Sequence, residues 1–150
     1  MLKKVCFFVD WNMYEVVRHF TKKVAEAFER QGIEVTIIDA NEKDLDPESC
    51  RDFMIDPPDL TCSFNRIAKL SSGKYLWDFL QIPHVAFLVD PAIYYLDLTD
   101  SPLIHLTGVD RSDVAGIRSV FPRITFWPHA VERELAPNPG QKRDLDASLS

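Results

Sequence analysis

The chain has 150 residues, 46% of them hydrophobic and 27% charged, with a formal net charge of −6, enough for one domain with a real core and too little for two. The acidic balance disfavours a general phosphate-backbone binder, which draws its affinity from clustered Lys and Arg that displace counterions, so nucleic acid is not an expected partner. Cys6, Cys50 and Cys62 are odd in number with no CxxC spacing, MLKKVCFFVD carries no cleavage-like site, and no apolar run approaches a transmembrane segment in length, which together predict reduced thiols and a cytoplasmic chain.

In chain order, Lys3 to Asp10 reads as a first buried strand. A helix follows from about Tyr14 to Gln31, where Val16, Val17, Phe20, Val24, Ala27 and Phe28 recur at helical spacing opposite Lys22, Lys23, Glu26, Glu29 and Arg30. Gly32 supplies its stop. Glu34 to Asp39 is the second strand, and a strand, helix and strand joined this closely imply a right-handed parallel crossover. Asn41 to Pro58 is acidic and proline-bearing, with a short helix expected between Pro47 and Met54 that caps an edge.

Asp59 to Asn65 is the third strand and Tyr75 to Leu80 a helix. The central stretch HVAFLVDPAIYY, His84 to Tyr95, opens as an apolar, β-branched and aromatic run typical of a strand buried on both faces. It stops at Asp90-Pro91, because proline cannot donate to a ladder and pushes its predecessor out of helical geometry. Asp97 to Pro102 is a turn-rich connection, Leu103 to Thr107 a fifth strand ending at Gly108, and Asp110 or Ser112 caps a helix running to about Val120. Arg123 to Trp127 is a sixth strand, stopped by Pro128. The pattern predicts an α/β, Rossmann-like fold: an open, mainly parallel sheet of about six strands with helices on both faces, over residues 1–131. Residues 132–150, with two prolines, alternating charges and little to bury, read as a linker or disordered tail. The first strand-to-helix turn is Asp-Trp-Asn-Met-Tyr, so neither GxGxxG nor GxxxxGK[ST] is present.

Asp10, Asp39, Asn65, Asp90 and Asp110 each close or just follow an apolar run. In a parallel sheet these positions share one edge, where ligands bind outside the carboxyl ends of the strands. Turn formation and helix capping are the stronger explanation for any single one of them, and Asp39 is the one expected only to cap. Asp90 stands apart, since Asp-Pro-Ala-Ile-Tyr-Tyr sets aromatic faces beside a carboxylate, a combination suited to a polyhydroxylated or ring-bearing ligand. Asp90, then Asp10, is the candidate general base. Trp11, Asn12, Asn65, Tyr94 and Tyr95 line the same rim, and His129 after Trp127-Pro128 faces it. Arg111 either meets an anionic ligand or, by default, pairs with Asp110. His84 and His105 lie in strands and read as packing residues. The spacing demands no metal.

The order DLTCSFN, IPHVAFLVDPAIYY, IHLTGVDRSDVAGIR and ITFWPHAV resembles the amino-terminal domain of two-domain GT-B-type glycosyltransferases, particularly the CgeB-like group related to spore-maturation proteins. Its carriers are Pro58 to Asn65, Pro83 to Tyr95, Asp110-Arg111 and Pro128 to Ala130. The resemblance implies an acceptor-side domain that binds a glycan or another hydroxyl-bearing molecule. A carboxyl-terminal domain of the same enzyme, expected beyond the linker, would hold the nucleotide-sugar donor, so this domain alone would bind no cofactor and be inactive. Two other classes stay open. FVDWN is similar to the first strand end of PIN/NYN-like metal-dependent nucleases, for which Asp10, Asp90 and Asp110 would hold the ions, and a non-catalytic Rossmann-like binding module makes the same fold prediction. A receiver domain fails on its own residues, with a single Asp10, an Asn65 and a Gly108 where it needs an acidic pair, a phosphoacceptor Asp and a Lys.

Overall fold

In the computed structural model, residues 1–9, 15–39, 51–65, 67, 69–70 and 72–128 are described. The strands are β1 (Lys4–Val9), β2 (Glu34–Asp39), β3 (Leu60–Phe64), β4 (His84–Phe87), β5 (Ile104–Gly108) and β6 (Ile124–Phe126). The helices are α1 (Val16–Glu29), α2 (Arg51–Ile55), α3 (Leu76–Leu80) and α4 (Arg111–Arg118), and Ala92–Asp100 forms a 3-10 segment. All six strands are parallel in the order β2-β1-β3-β4-β5-β6. The chain therefore changes direction across the sheet between β1 and β3. Every strand end reaches the same edge, as expected of an open Rossmann-like α/β sheet.

Alternation along the strands sorts the core into two layers. Val5, Phe7, Cys62, Phe64 and Phe87 face α1, whose Val17, Phe20, Val24, Ala25 and Phe28 close over them. Phe7 meets Phe28 at 5.9 Å and Phe64 meets Phe87 at 5.3 Å between ring centroids. Cys6, Phe8, Ala86, Ile104, Leu106 and Ile124 face the other way, under Trp77, Ala92, Leu98, Val114 and Ile117. The helices are thus unevenly shared: α1 covers one face, while α2, α3, the 3-10 segment and α4 contribute to the other. Cys6 and Cys62 are buried in opposite layers, and burial, then the nearby Cys6 on the adjacent strand, pushes the Cys62 thiol up. Cys50 lies outside the described residues.

The first three strands and α1 lie where the apolar periodicity puts them. The segment after β4 differs. Where a turn-rich connection was expected over Asp97–Pro102, the chain winds into the 3-10 segment from Ala92, broken at Tyr95 by a non-helical φ of −124° and ψ of 24°. Ala92 and Leu98 anchor it in the core. The helix after β2 is described over Arg51–Ile55, and its Phe53 meets Phe8 edge-on at 6.2 Å.

β4 carries a buried polar residue in mid-sheet. His84, 1% exposed, stacks on Trp77 at 3.6 Å and Trp77 on Tyr75 at 4.6 Å. Its Nδ1 lies 2.9 Å from Thr61 Oγ1 and its Nε2 3.0 Å from Ser63 Oγ, both hydroxyls on β3. Burial lowers its basicity well below the ordinary imidazole range. Trp77 Nε1 donates to the buried Ser101 Oγ at 2.9 Å, and Ser101 Oγ donates to Asp78 Oδ1 at 2.6 Å.

Candidate functional site

The site grows out of a turn at the end of β3. Asn65 holds the left-handed backbone, φ 54°, which Asn tolerates better than most side chains. Its backbone N–H donates to the Phe87 carbonyl at 2.9 Å, extending the parallel register by one residue past Phe64 and Phe87. Its side chain then spans to the strand next door: Oδ1 accepts from the Val89 N–H at 3.0 Å, and Nδ2 donates to Asp90 Oδ2 at 3.1 Å. The Val89 N–H fixes which way the amide points, because a flipped amide would set two donors face to face.

Asp90 takes a second bond from the far side. The break at Tyr95 turns that residue back towards β4, and its hydroxyl donates to the same Oδ2 at 2.8 Å. Oδ2 thus accepts twice, while Oδ1 accepts no hydrogen bond from the described residues. A carboxylate held this way has one oxygen spent on position and one left for a ligand. Asp90 is exposed, at the edge of the sheet.

Beside it opens a cavity of about 630 Å³, lined by Val89 to Pro91, Ile93, Val109, Asp110, Ser112, Asp113, Gly116 and Ile117. Its walls join the end of β4 to the β5–α4 turn. Asp90, Asp110 and Asp113 contribute to it, and among the described residues no Lys, Arg or His does. Two of those carboxylates are structurally engaged. Asp110 caps α4, accepting from the Ser112 N–H at 2.8 Å and the Asp113 N–H at 2.9 Å, and from the Ser112 hydroxyl. The Ser112 hydroxyl first, then those two N–H groups, hold its carboxyl below the usual range. Asp113 Oδ2 accepts from the Ala92 N–H at 2.8 Å, tying α4 to the 3-10 segment.

The structure therefore brings Asn65, Asp90 and Tyr95 together. Tyr94 stands 68% exposed next to them in sequence. Arg111 corrects an expectation: it does not pair with Asp110, and its guanidinium lies 4.1 Å from the centre of the Phe126 ring. The reason is competition, since the α4 cap occupies the Asp110 carboxylate and an exposed ion pair offers little against a stacked ring. Asp110, not Ser112, is the cap. Asp39 pairs with Arg18 of α1, and residues 40–50, which it was expected to cap, lie outside the described residues. His105 bonds Thr125 through Nε2 at 2.7 Å. Asp10, Trp11, Asn12 and His129 lie outside the described residues, as does the tail, 132–150.

Sequence reading passed over Asp113, Ser63 and the cavity wall. Asp113 stands at the third position of a helix, where an acidic residue looks like part of a cap, and nothing local announces the Ala92 N–H it reaches. Among the described residues no group of three His, Cys, Asp or Glu side chains is placed to hold a metal ion, and no helix is long and apolar enough to cross a membrane. Comparison of the chain with protein-family models, with curated proteins and with solved structures returns no match.

Proposed function

We propose that this domain is the acceptor-side half of a glycosyltransferase, in which Asp90 takes the proton from an acceptor hydroxyl as that oxygen attacks the anomeric carbon of a nucleotide sugar. The bond from that carbon to the phosphate oxygen breaks, and the nucleotide leaves with the electron pair. The observation that carries the reading is the two-point clamp on Asp90 Oδ2 by Asn65 and Tyr95. It leaves Oδ1 with no hydrogen bond from the described residues, on a residue that lines a cavity in the size range of small-ligand sites. A general base must come within hydrogen-bond reach of its hydroxyl, and a pre-aimed carboxylate meets that demand without reorganising.

The wall chemistry supports an acceptor over a donor. A nucleotide sugar brings a diphosphate, and a cavity bordered by Asp90, Asp110 and Asp113, with no basic side chain among the described residues, opposes that charge. A neutral polyol meets carboxylate acceptors and the apolar faces of Val89, Ile93 and Ile117 instead. Under this reading the donor belongs to a carboxyl-terminal domain of the same enzyme. The gene sequence immediately downstream of Ser150 tests it. An in-frame continuation carrying a second run of alternating strands and helices is the expected result, and a stop codon there would leave a stand-alone module and overturn the two-domain reading.

A further inference from the structure

Thr61, Ser63 and His84 form a buried polar line that ends at the Asn65 carbonyl. Thr61 and Ser63 are fully buried and His84 is 1% exposed. Four contacts run along it: Thr61 Oγ1 to the Pro83 carbonyl at 3.1 Å, Thr61 Oγ1 to His84 Nδ1 at 2.9 Å, His84 Nε2 to Ser63 Oγ at 3.0 Å, and Ser63 Oγ to the Asn65 carbonyl at 3.3 Å. Each hydroxyl has one proton, and a neutral imidazole has one N–H and one acceptor nitrogen, so only two arrangements of protons along the line keep both ring nitrogens hydrogen-bonded. No charged side chain touches the ring among the described residues. Asp78 is reached only through Trp77 and Ser101.

With the proton on Nδ1, His84 donates to Thr61 and Thr61 donates to the Pro83 carbonyl. That carbonyl already accepts from the Thr61 N–H at 2.9 Å. Ser63 then donates to Nε2, and the Asn65 carbonyl accepts nothing from the described residues. With the proton on Nε2, Thr61 donates to Nδ1, His84 donates to Ser63, and the Ser63 proton is released to the Asn65 carbonyl. Pro83 keeps its backbone donor and Asn65 gains one. The second arrangement serves one more acceptor with the same number of protons.

We propose that His84 is a positioning residue for the Asp90 site: as the Nε2–H tautomer it turns the Ser63 hydroxyl onto the Asn65 carbonyl, and so holds in place the residue whose side chain clamps Asp90. Its importance for function rests on Asp90 being the working group, but its geometry does not. A ring that merely filled space would be indifferent to which nitrogen carries the proton.

The test is a long-range nitrogen–proton correlation spectrum of the imidazoles in the full chain, without ligand. The His84 proton is expected on Nε2, to stay there in Thr61→Val, and to move to Nδ1 in Ser63→Ala, where Nε2 has lost its acceptor. In Ser63→Ala the Asn65 side-chain amide protons are expected to exchange with water about tenfold faster, the factor that one lost hydrogen bond of ordinary strength allows. A wild-type proton on Nδ1 overturns the proposal even if a variant fails to fold, and so does unchanged Asn65 exchange in Ser63→Ala. Since no sugar enters the measurement, either outcome leaves the ligand reading to its own test.

Discussion

Asn65 Nδ2 donates to Asp90 Oδ2 at 3.1 Å across 25 residues of sequence, and this contact turns two strand ends into one site. It depends on the left-handed backbone of Asn65, φ 54°. Glycine adopts that conformation freely and alanine pays about 1–2 kcal/mol for it. Asn65→Ala is therefore expected to be less stable than Asn65→Gly by about 1 kcal/mol, although both lose the same two side-chain bonds. Urea denaturation of the pair checks it, and equal midpoints would mean the turn is not held as described.

The folded imidazole of His84 is far less basic than an exposed one because it is buried. The unfolded chain takes up a proton near pH 6.5 that the folded chain refuses, so stability is full above that pH and declines below it until the folded value is reached. The expected slope is about 1.4 kcal/mol per pH unit for one such proton. His105, lowered by partial burial and then by Arg123, adds in the same direction. Denaturation between pH 5 and pH 7 in wild type and His84→Gln checks the assignment: the variant should show the shallower decline.

Gly108 ends β5 under α4, and a Cβ there would stand 2.7 Å from Val114 Cγ2. Valine in a helix has little rotamer freedom with which to retreat. Gly108→Ala is expected to cost about 1–3 kcal/mol, the usual penalty for overpacking a core. The cost should be smaller in a Val114→Ala background, and a double-mutant cycle by thermal unfolding reads the coupling.

Gln81 closes α3 in the left-handed conformation, φ 57° and ψ 38°, a position that favours glycine. Its side chain donates to the Asp78 carbonyl at 2.5 Å, an exposed bond of small net value. Gln81→Gly is expected to raise stability by about 0.5–1 kcal/mol, visible as a higher thermal midpoint.

The sheet was legible because each strand is a short apolar run stopped by Asp, Asn or Pro, and α1 because its apolar residues keep one face. The 3-10 segment was not: AIYYLDLTD repeats with neither period, and Ala92 and Leu98 anchor it in the core. Asp90 and Asn65 could be placed on a shared edge from the order of strands. Their contact could not, since it needs the register that sets Phe64 beside Phe87. Arg111 shows the same limit from the other side, because its neighbour in sequence, Asp110, was already taken by two backbone N–H groups of its own helix.

The most direct measurement is a chemical-shift titration of the nitrogen-15-labelled protein with the neutral disaccharides cellobiose, maltose and lactose, each against UDP. Binding of a neutral polyol at Asp90 predicts that at least one sugar moves the amide signals of Val89, Asp90, Ile93, Asp110 and Ser112, that Asp90→Asn weakens the response, and that UDP leaves these signals in place. Movement of the same signals by UDP and by none of the sugars would contradict it.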